Sequence, residues 1–230
     1  TVAGEAGARP GPALPAAPVT FENPLNLSPL RYSFSPVRDL KNKAITTYYL
    51  QSYGDKLGVG QASGYEMLHG GESSPMVSVI DLQVLKRAQR ELEPYRGQNI
   101  PFVLVWDIHT QTIDNMVEFQ RYAKILAAIS TFAKDRIVLQ INGVRADWPL
   151  SRMQVSIGML RRHVRFVAVR QTLECAIFDD LKACGAANIA VPMPAPQDEP
   201  NLLPRLSRFC EGAGRAGLVT VAQTIGTRSI

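Results

Sequence analysis

From about residue 32 onwards, short runs rich in β-branched and aromatic residues alternate with longer stretches whose apolar positions recur every three or four residues. The short runs cover 32–38, 44–50, 102–106, 137–141, 166–169, 188–191 and 218–221, and read as strands. The longer stretches read as helices with one buried face. Val84, Leu85, Ala88 and Leu92 form one such stripe, and Ile113, Met116, Val117, Ala123, Leu126 and Ile129 form a longer one. Further helical patterns span 153–160, 173–181 and 202–213. Most strands are apolar on consecutive residues, as in Phe102-Val103-Leu104-Val105, which suits strands covered on both faces. Repeated β-then-α units predict a parallel α/β fold, either a barrel or a doubly wound sheet. The first two runs, joined around Lys41-Asn42-Lys43, are too close for a crossover helix and predict an antiparallel hairpin. Between residues 52 and 75, Gly54, Gly58, Gly60, Gly64, Gly70 and Gly71 read as loop.

Residues 1–28 are rich in Ala, Pro and Gly and offer too little apolar surface to order themselves, so they read as a linker. Residues 29–230 then form one domain. The net charge of +5 is spread along the chain. Its densest cluster, Arg161-Arg162-His163 followed by Arg165, lacks the interleaved aromatics of a nucleic-acid track and reads as a solvated face, so no nucleic-acid partner is expected. Three cysteines with no CxxC pair suggest reduced thiols and a cytoplasmic location. No run reaches the roughly 18 apolar residues of a membrane span. An anchor or sensor domain ahead of Thr1 is left open.

In a parallel α/β fold the chemistry sits at the carboxyl ends of the strands. There the sequence places Tyr49 and Gln51, Asp107 and His109, Gln140 and Asn142, Arg170, Pro192 and Gln223. Only one of these is a carboxylate. Magnesium or manganese wants several hard oxygen ligands, and a two-metal hydrolase wants more still. The fixed charge of Arg170 would repel such an ion. Asp107 and His109, two apart on one strand, share a face and could form a catalytic pair; a satisfied polar pair at a strand end is the plainer reading. Trp106 ends a buried strand and reads as core. No Gly-x-Ser-x-Gly elbow, phosphate loop or His-Glu-x-x-His occurs.

The ordered segments resemble EAL domains. Ser35-Pro36-Val37-Arg38-Asp39-Leu40-Lys41 is similar to the opening hairpin of that family, Ile80-Asp81-Leu82-Gln83-Val84-Leu85 to the start of its first long helix, and 105–113 to its Val-Asn-Val-Ser strand and turn. Val138-Leu139-Gln140-Ile141-Asn142-Gly143 resembles the Glu-Ile-Thr-Glu strand, and Val221-Ala222-Gln223-Thr224-Ile225 resembles Val-Ala-Glu-Gly-Val. The Asp-Asp-Phe-Gly and Lys-Ile-Asp strands fall on 165–171 and 189–192. The likeness covers residues 30–228 and implies a modified TIM-type (β/α) barrel with an antiparallel first strand. EAL domains open cyclic di-GMP with two magnesium or manganese ions.

Set against that pattern, the signature glutamate falls on Tyr49, the metal asparagine on Asp107 and the next metal glutamate on Gln140. The paired aspartates fall near Arg170 and Gln171, the catalytic lysine on Ala190, its following aspartate on Pro192, and the late glutamate on Gln223. The last strand of the family has no counterpart before Ile230, so the barrel is expected to be incomplete. These departures imply a non-enzymatic regulatory or interaction module in bacterial signalling, with no catalytic residues, no metal and no cofactor. The partner would be another protein or a second copy. A cyclic di-GMP receptor without hydrolysis is the second reading, and residual phosphodiesterase activity the third. Any ligand would meet Tyr49, Gln51, Asp107, His109, Gln140, Arg170 and Gln223.

Overall fold

A computed structural model describes residues 30–56, 60–145, 147–193 and 201–224. The 1–28 linker expectation lies outside the described residues. Strand β1 (Arg31–Asp39) turns into β2 (Ala44–Lys56) as the expected antiparallel hairpin. The Asp39 carboxylate accepts from the backbone N–H groups of Lys41 and Asn42, and Lys43 adopts a left-handed φ of 53° to close the turn. Pro36 is tolerated because β1 is an edge strand.

From β2 the sheet continues in parallel through β4 (Val103–His109), β5 (Ile137–Asn142), β6 (Phe166–Arg170), β7 (Asn188–Met193) and β8 (Val219–Thr224). The sheet curls into an incomplete barrel of the expected class, open between β1 and β8 among the described residues. An incomplete barrel is expected to leave unpaired backbone groups beside the strands at 44–50 and 218–222. The first is corrected: β2 is paired by β1 on one side and β4 on the other, so the outer edges are β1 and β8.

The helices are α1 (Val77–Leu92), α2 (Thr110–Asp114), α3 (Met116–Ala133), α4 (Leu150–Arg161), α5 (Phe178–Ala183) and α6 (Leu202–Arg215). The long stripe from Ile113 to Ile129 is broken at Asn115, whose side chain accepts from the N–H groups of Val117 and Glu118 and starts α3. The 173–181 helix is likewise corrected: only its second half, α5, is helical. The glycine-rich segment is not all loop. Strand β2 runs on to Lys56, the short β3 (Gly60–Ser63) pairs with it, and two 3₁₀ turns follow with Tyr65 and Leu68 buried.

Strand periodicity decides where function can sit. Leu104, Trp106, Ile108, Ile137, Leu139, Ile141, Val167, Val169, Ile189 and Val191 belong to the main core cluster with the helices. Trp106 is fully buried there and donates from Nε1 to the Tyr122 hydroxyl on α3 at 2.8 Å. The alternate residues Val103, Val138 and Ala168 form a separate apolar cluster with Val105. The next residues on that second face, towards the strand ends, are Asp107, Gln140 and Arg170. The hydrophobic layer therefore gives way to a polar one at the carboxyl ends.

Candidate functional site

Parallel register sets the site. Tyr49 lies opposite Val105, Asp107 opposite Gln140, and Pro192 opposite Gln223. Five of the residues expected at the strand ends meet in one hydrogen-bonded network. The Tyr49 hydroxyl donates to Asp107 Oδ2 at 2.5 Å, and Gln140 Nε2 donates to Asp107 Oδ1 at 2.9 Å. Gln140 also donates to Asn142 Oδ1 at 3.2 Å. The amides of Gln140 and Gln223 exchange bonds, at 3.3 Å in one direction and 2.9 Å in the other.

Asp107 keeps slight exposure at the mouth, but protein crowds its carboxylate and loss of water pushes its pKa up to about 6. The Tyr49 hydroxyl and the Arg170 charge pull the other way, and the negative charge of Asp81 adds to the rise. Burial, then Asp107, holds the Tyr49 phenol well above its usual range, so it stays a donor. Arg170 acts on this network through its charge. Asn142 is fully buried, and its Nδ2 makes no direct hydrogen bond, although it lies near enough to Asp107 to favour the anion. Gln51 borders a cavity of about 20 Å³ that Asp107, Asp81 and Tyr65 also line. That is room for a single water.

His109 does not pair with Asp107. Its Nδ1 accepts from the Gln111 N–H at 3.1 Å and caps α2. Its Nε2 lies 3.7 Å from Glu72 Oε2 without a direct hydrogen bond, and its ring packs edge-on against Tyr65. His109 holds Glu72 below the usual carboxylate range. Both the catalytic pair and the satisfied Asp107–His109 pair are thus corrected: the two side chains serve different networks. Gly143 fits closely over the imidazole, where a Cβ would lie 2.2 Å from Nε2.

Sequence reasoning missed the second carboxylate, Asp81 on α1. It is 1% exposed and accepts from the Tyr65 hydroxyl at 2.5 Å, the His109 N–H at 2.9 Å and the Thr112 hydroxyl at 2.5 Å. Burial raises its pKa to about 6 against those bonds. The signal was present: Asp81 lies three and four residues before Val84 and Leu85, on the apolar stripe of α1. Nothing in the sequence marked Tyr65 or Thr112 as its neighbours.

The donor set does not suit a pair of divalent cations. One carboxylate faces the mouth, both its oxygens already accept hydrogen bonds, its neighbours are amides and a phenol, and Arg170 adds positive charge. Among the described residues, no three His, Cys, Asp or Glu side chains gather as a metal site.

The chain has the fold of EAL domains. It is similar to the Vibrio cholerae LapD S helix-GGDEF-EAL structure bound to c-di-GMP, with a TM-score of 0.67 and 14% identity. That match covers 87% of this chain and 48% of the LapD chain, so this chain spans about half of it. The PaMucR phosphodiesterase in its c-di-GMP complex matches with a TM-score of 0.67 and 12% identity over 87% of both chains. The Xanthomonas citri FimX EAL domain in complex with c-diGMP matches with a TM-score of 0.62 and 16% identity, over 86% of this chain and 78% of that one. No family model and no curated protein matches the sequence.

Proposed function

We propose that this chain is a catalytically inactive EAL-fold module that acts by binding, in bacterial cyclic di-GMP signalling. The observation that carries the reading is the closed network at the strand ends. Tyr49 and Gln140 each donate to one oxygen of the carboxylate at the mouth, and the amides of Gln140 and Gln223 bond each other. A site waiting for metal would hold acceptors free to bind it; this one spends them internally. Without metal-activated water the hydrolysis has no nucleophile. The partner is another protein or a second copy, and the edges at β1 and β8, which no other strand pairs among the described residues, offer backbone groups to either. The setting is the cytoplasm.

The test is incubation with cyclic di-GMP and manganese, following the linear product, with calorimetric titration of manganese alone. The expected outcome is no product and no site tighter than roughly millimolar, the weak end of protein cation sites. Turnover that disappears in Asp107→Ala, or a micromolar site that does so, overturns the reading.

A specific observation favours a second reading. The Arg170 charge acts on both Tyr49 and Asp107, and a fixed cation with an aromatic side chain at one mouth is what a receptor would turn towards a phosphodiester and a base. Nucleotide binding without turnover selects that reading.

A further inference from the structure

On the outside of the barrel, α3 and α4 leave a groove of about 170 Å³ lined by Phe119, Ala123, Leu126, Met159, Leu160 and the basic pair Arg162 and His163. It lies on the helical shell, on elements that supply none of the strand-end groups. Phe119, Leu126 and Leu160 make its floor apolar, and the small side chain of Ala123 leaves the gap above them. Val155, 60% exposed and one turn before Met159 on the same face of α4, continues the apolar strip into solvent. The volume falls below the several hundred Å³ of a small-molecule or nucleotide site and suits one anchoring side chain.

The charged side chain that lines the groove, Arg162, is basic, and the lining holds no Asp or Glu. Residues 150–165 contain four arginines and no Asp or Glu. Arg152 is paired with Asp114, whereas Arg161 and Arg162 are exposed. Lys134 and Arg162 both lie near enough to His163 to reinforce the depression of its pKa that burial causes. A basic rim around an apolar pocket is complementary to a segment that pairs carboxylates with a large apolar residue. Nucleic acid would meet the charge but has no apolar anchor for the pocket. A bilayer surface would not reach into a concave groove.

We propose that the α3–α4 groove docks an acidic amphipathic helix of a partner protein, with one apolar side chain seated between Ala123 and Met159 and its carboxylates against Arg162 and Lys134. This deepens the reading of the chain as a binding module, and it stands apart from the turnover assay because the groove shares no residue with the strand ends.

The probe is a pair of labelled helical peptides of about 15 residues, long enough for a helix to persist. Both carry the same Leu and Phe stripe, one with Glu flanks and one with Lys flanks, and binding is read by fluorescence anisotropy. The expected result is saturable binding of the Glu peptide, at least about tenfold tighter than the Lys peptide. Binding should be lost in Ala123→Phe, which fills the groove, and weakened about tenfold in Arg162→Glu, with circular dichroism showing both variants folded. The proposal is overturned by equal binding of the two peptides, by no saturable binding, or by binding that Ala123→Phe leaves unchanged. A single-stranded RNA oligonucleotide or anionic vesicles displacing the Glu peptide more effectively than unlabelled peptide overturns the assignment to a protein partner. Loss of peptide binding with turnover still absent leaves the inactive-module reading intact.

Discussion

Asp81→Asn should change how stability depends on pH more than it changes stability itself. The native carboxylate is buried under three donors, and its pKa stands at about 6 against an ordinary 3.8. A folded-state value above the unfolded one means that the folded protein binds the proton more tightly. The favourable state is therefore fully present below about pH 4, is lost as pH rises through about 6, and stays lost above it. At 1.36 kcal/mol per unit, the loss is about 3 kcal/mol. Asparagine has no such step. Its oxygen can accept from the His109 N–H and the Thr112 hydroxyl, while its NH₂ faces the Tyr65 hydroxyl, which must turn round to accept. Reversing that bond costs about 1 kcal/mol at every pH. The variant should be about 1 kcal/mol less stable at pH 4 and about 2 kcal/mol more stable at pH 7.5. Removing the Asp81 charge also relieves Asp107, which pushes in the same direction. Urea unfolding of both proteins across this range reads the difference directly, because the other carboxylates are common to both. Parallel curves, or a variant that loses ground as pH rises, would refute the argument that burial dominates at Asp81.

Two further outcomes follow from the same geometry. Tyr49→Phe removes the 2.5 Å donor to Asp107 and should cost about 1.5–3 kcal/mol at pH 7.5 but less near pH 5, where Asp107 takes up a proton; thermal melts at both values check it. Gly143→Ala should cost more than about 2 kcal/mol, because φ is +72° and the new Cβ would strike the His109 ring at 2.2 Å. Part of that cost should return in a His109→Ala background, and a cost unchanged there would place the strain in the backbone alone.

The barrel was legible because its two periodicities are clean. Consecutive apolar residues in 103–106 and 137–139 mark strands covered on both faces, and stepping two residues at a time from Val103 leads to Asp107. Tyr49, Gln140 and Gln223 were found the same way. The 52–75 segment was not, because six glycines mask a hairpin extension whose few buried apolar residues, Ala62, Tyr65 and Leu68, do not alternate as those of a strand would. The break at Asn115 was hidden by apolar positions that run on through both helices, and only the capping side chain marks the start of α3. His109 shares strand parity with Asp107, yet the chain turns into α2 directly after it, so its ring is claimed by the cap rather than by the site. Asp81 was passed over as one polar residue among many on a long helix. Its place on the apolar stripe was the clue.

Why a barrel keeps a polar mouth whose donor set does not suit a pair of divalent cations is a question of satisfaction. The second face of the strands changes from Val103, Val138 and Ala168 to Asp107, Gln140 and Arg170 within two residues, and polar groups at that depth must find partners or cost stability. Here the partners are internal. A ligand entering the mouth has to separate Gln140 from Gln223 and from Asp107, at about 1 kcal/mol for each bond not replaced. Donor-rich ligands gain little, because Asp107 is already served by Tyr49 and Gln140. Acceptor-rich ligands have more to win: Arg170 brings a charge, and Asn142 Nδ2 lacks a direct partner. Arg170 and Asn142 therefore favour acceptor groups over further donors at the mouth. Any residual ligand binding at the strand ends should keep the phosphate preference expected of a cyclic dinucleotide receptor while dispensing with the metals.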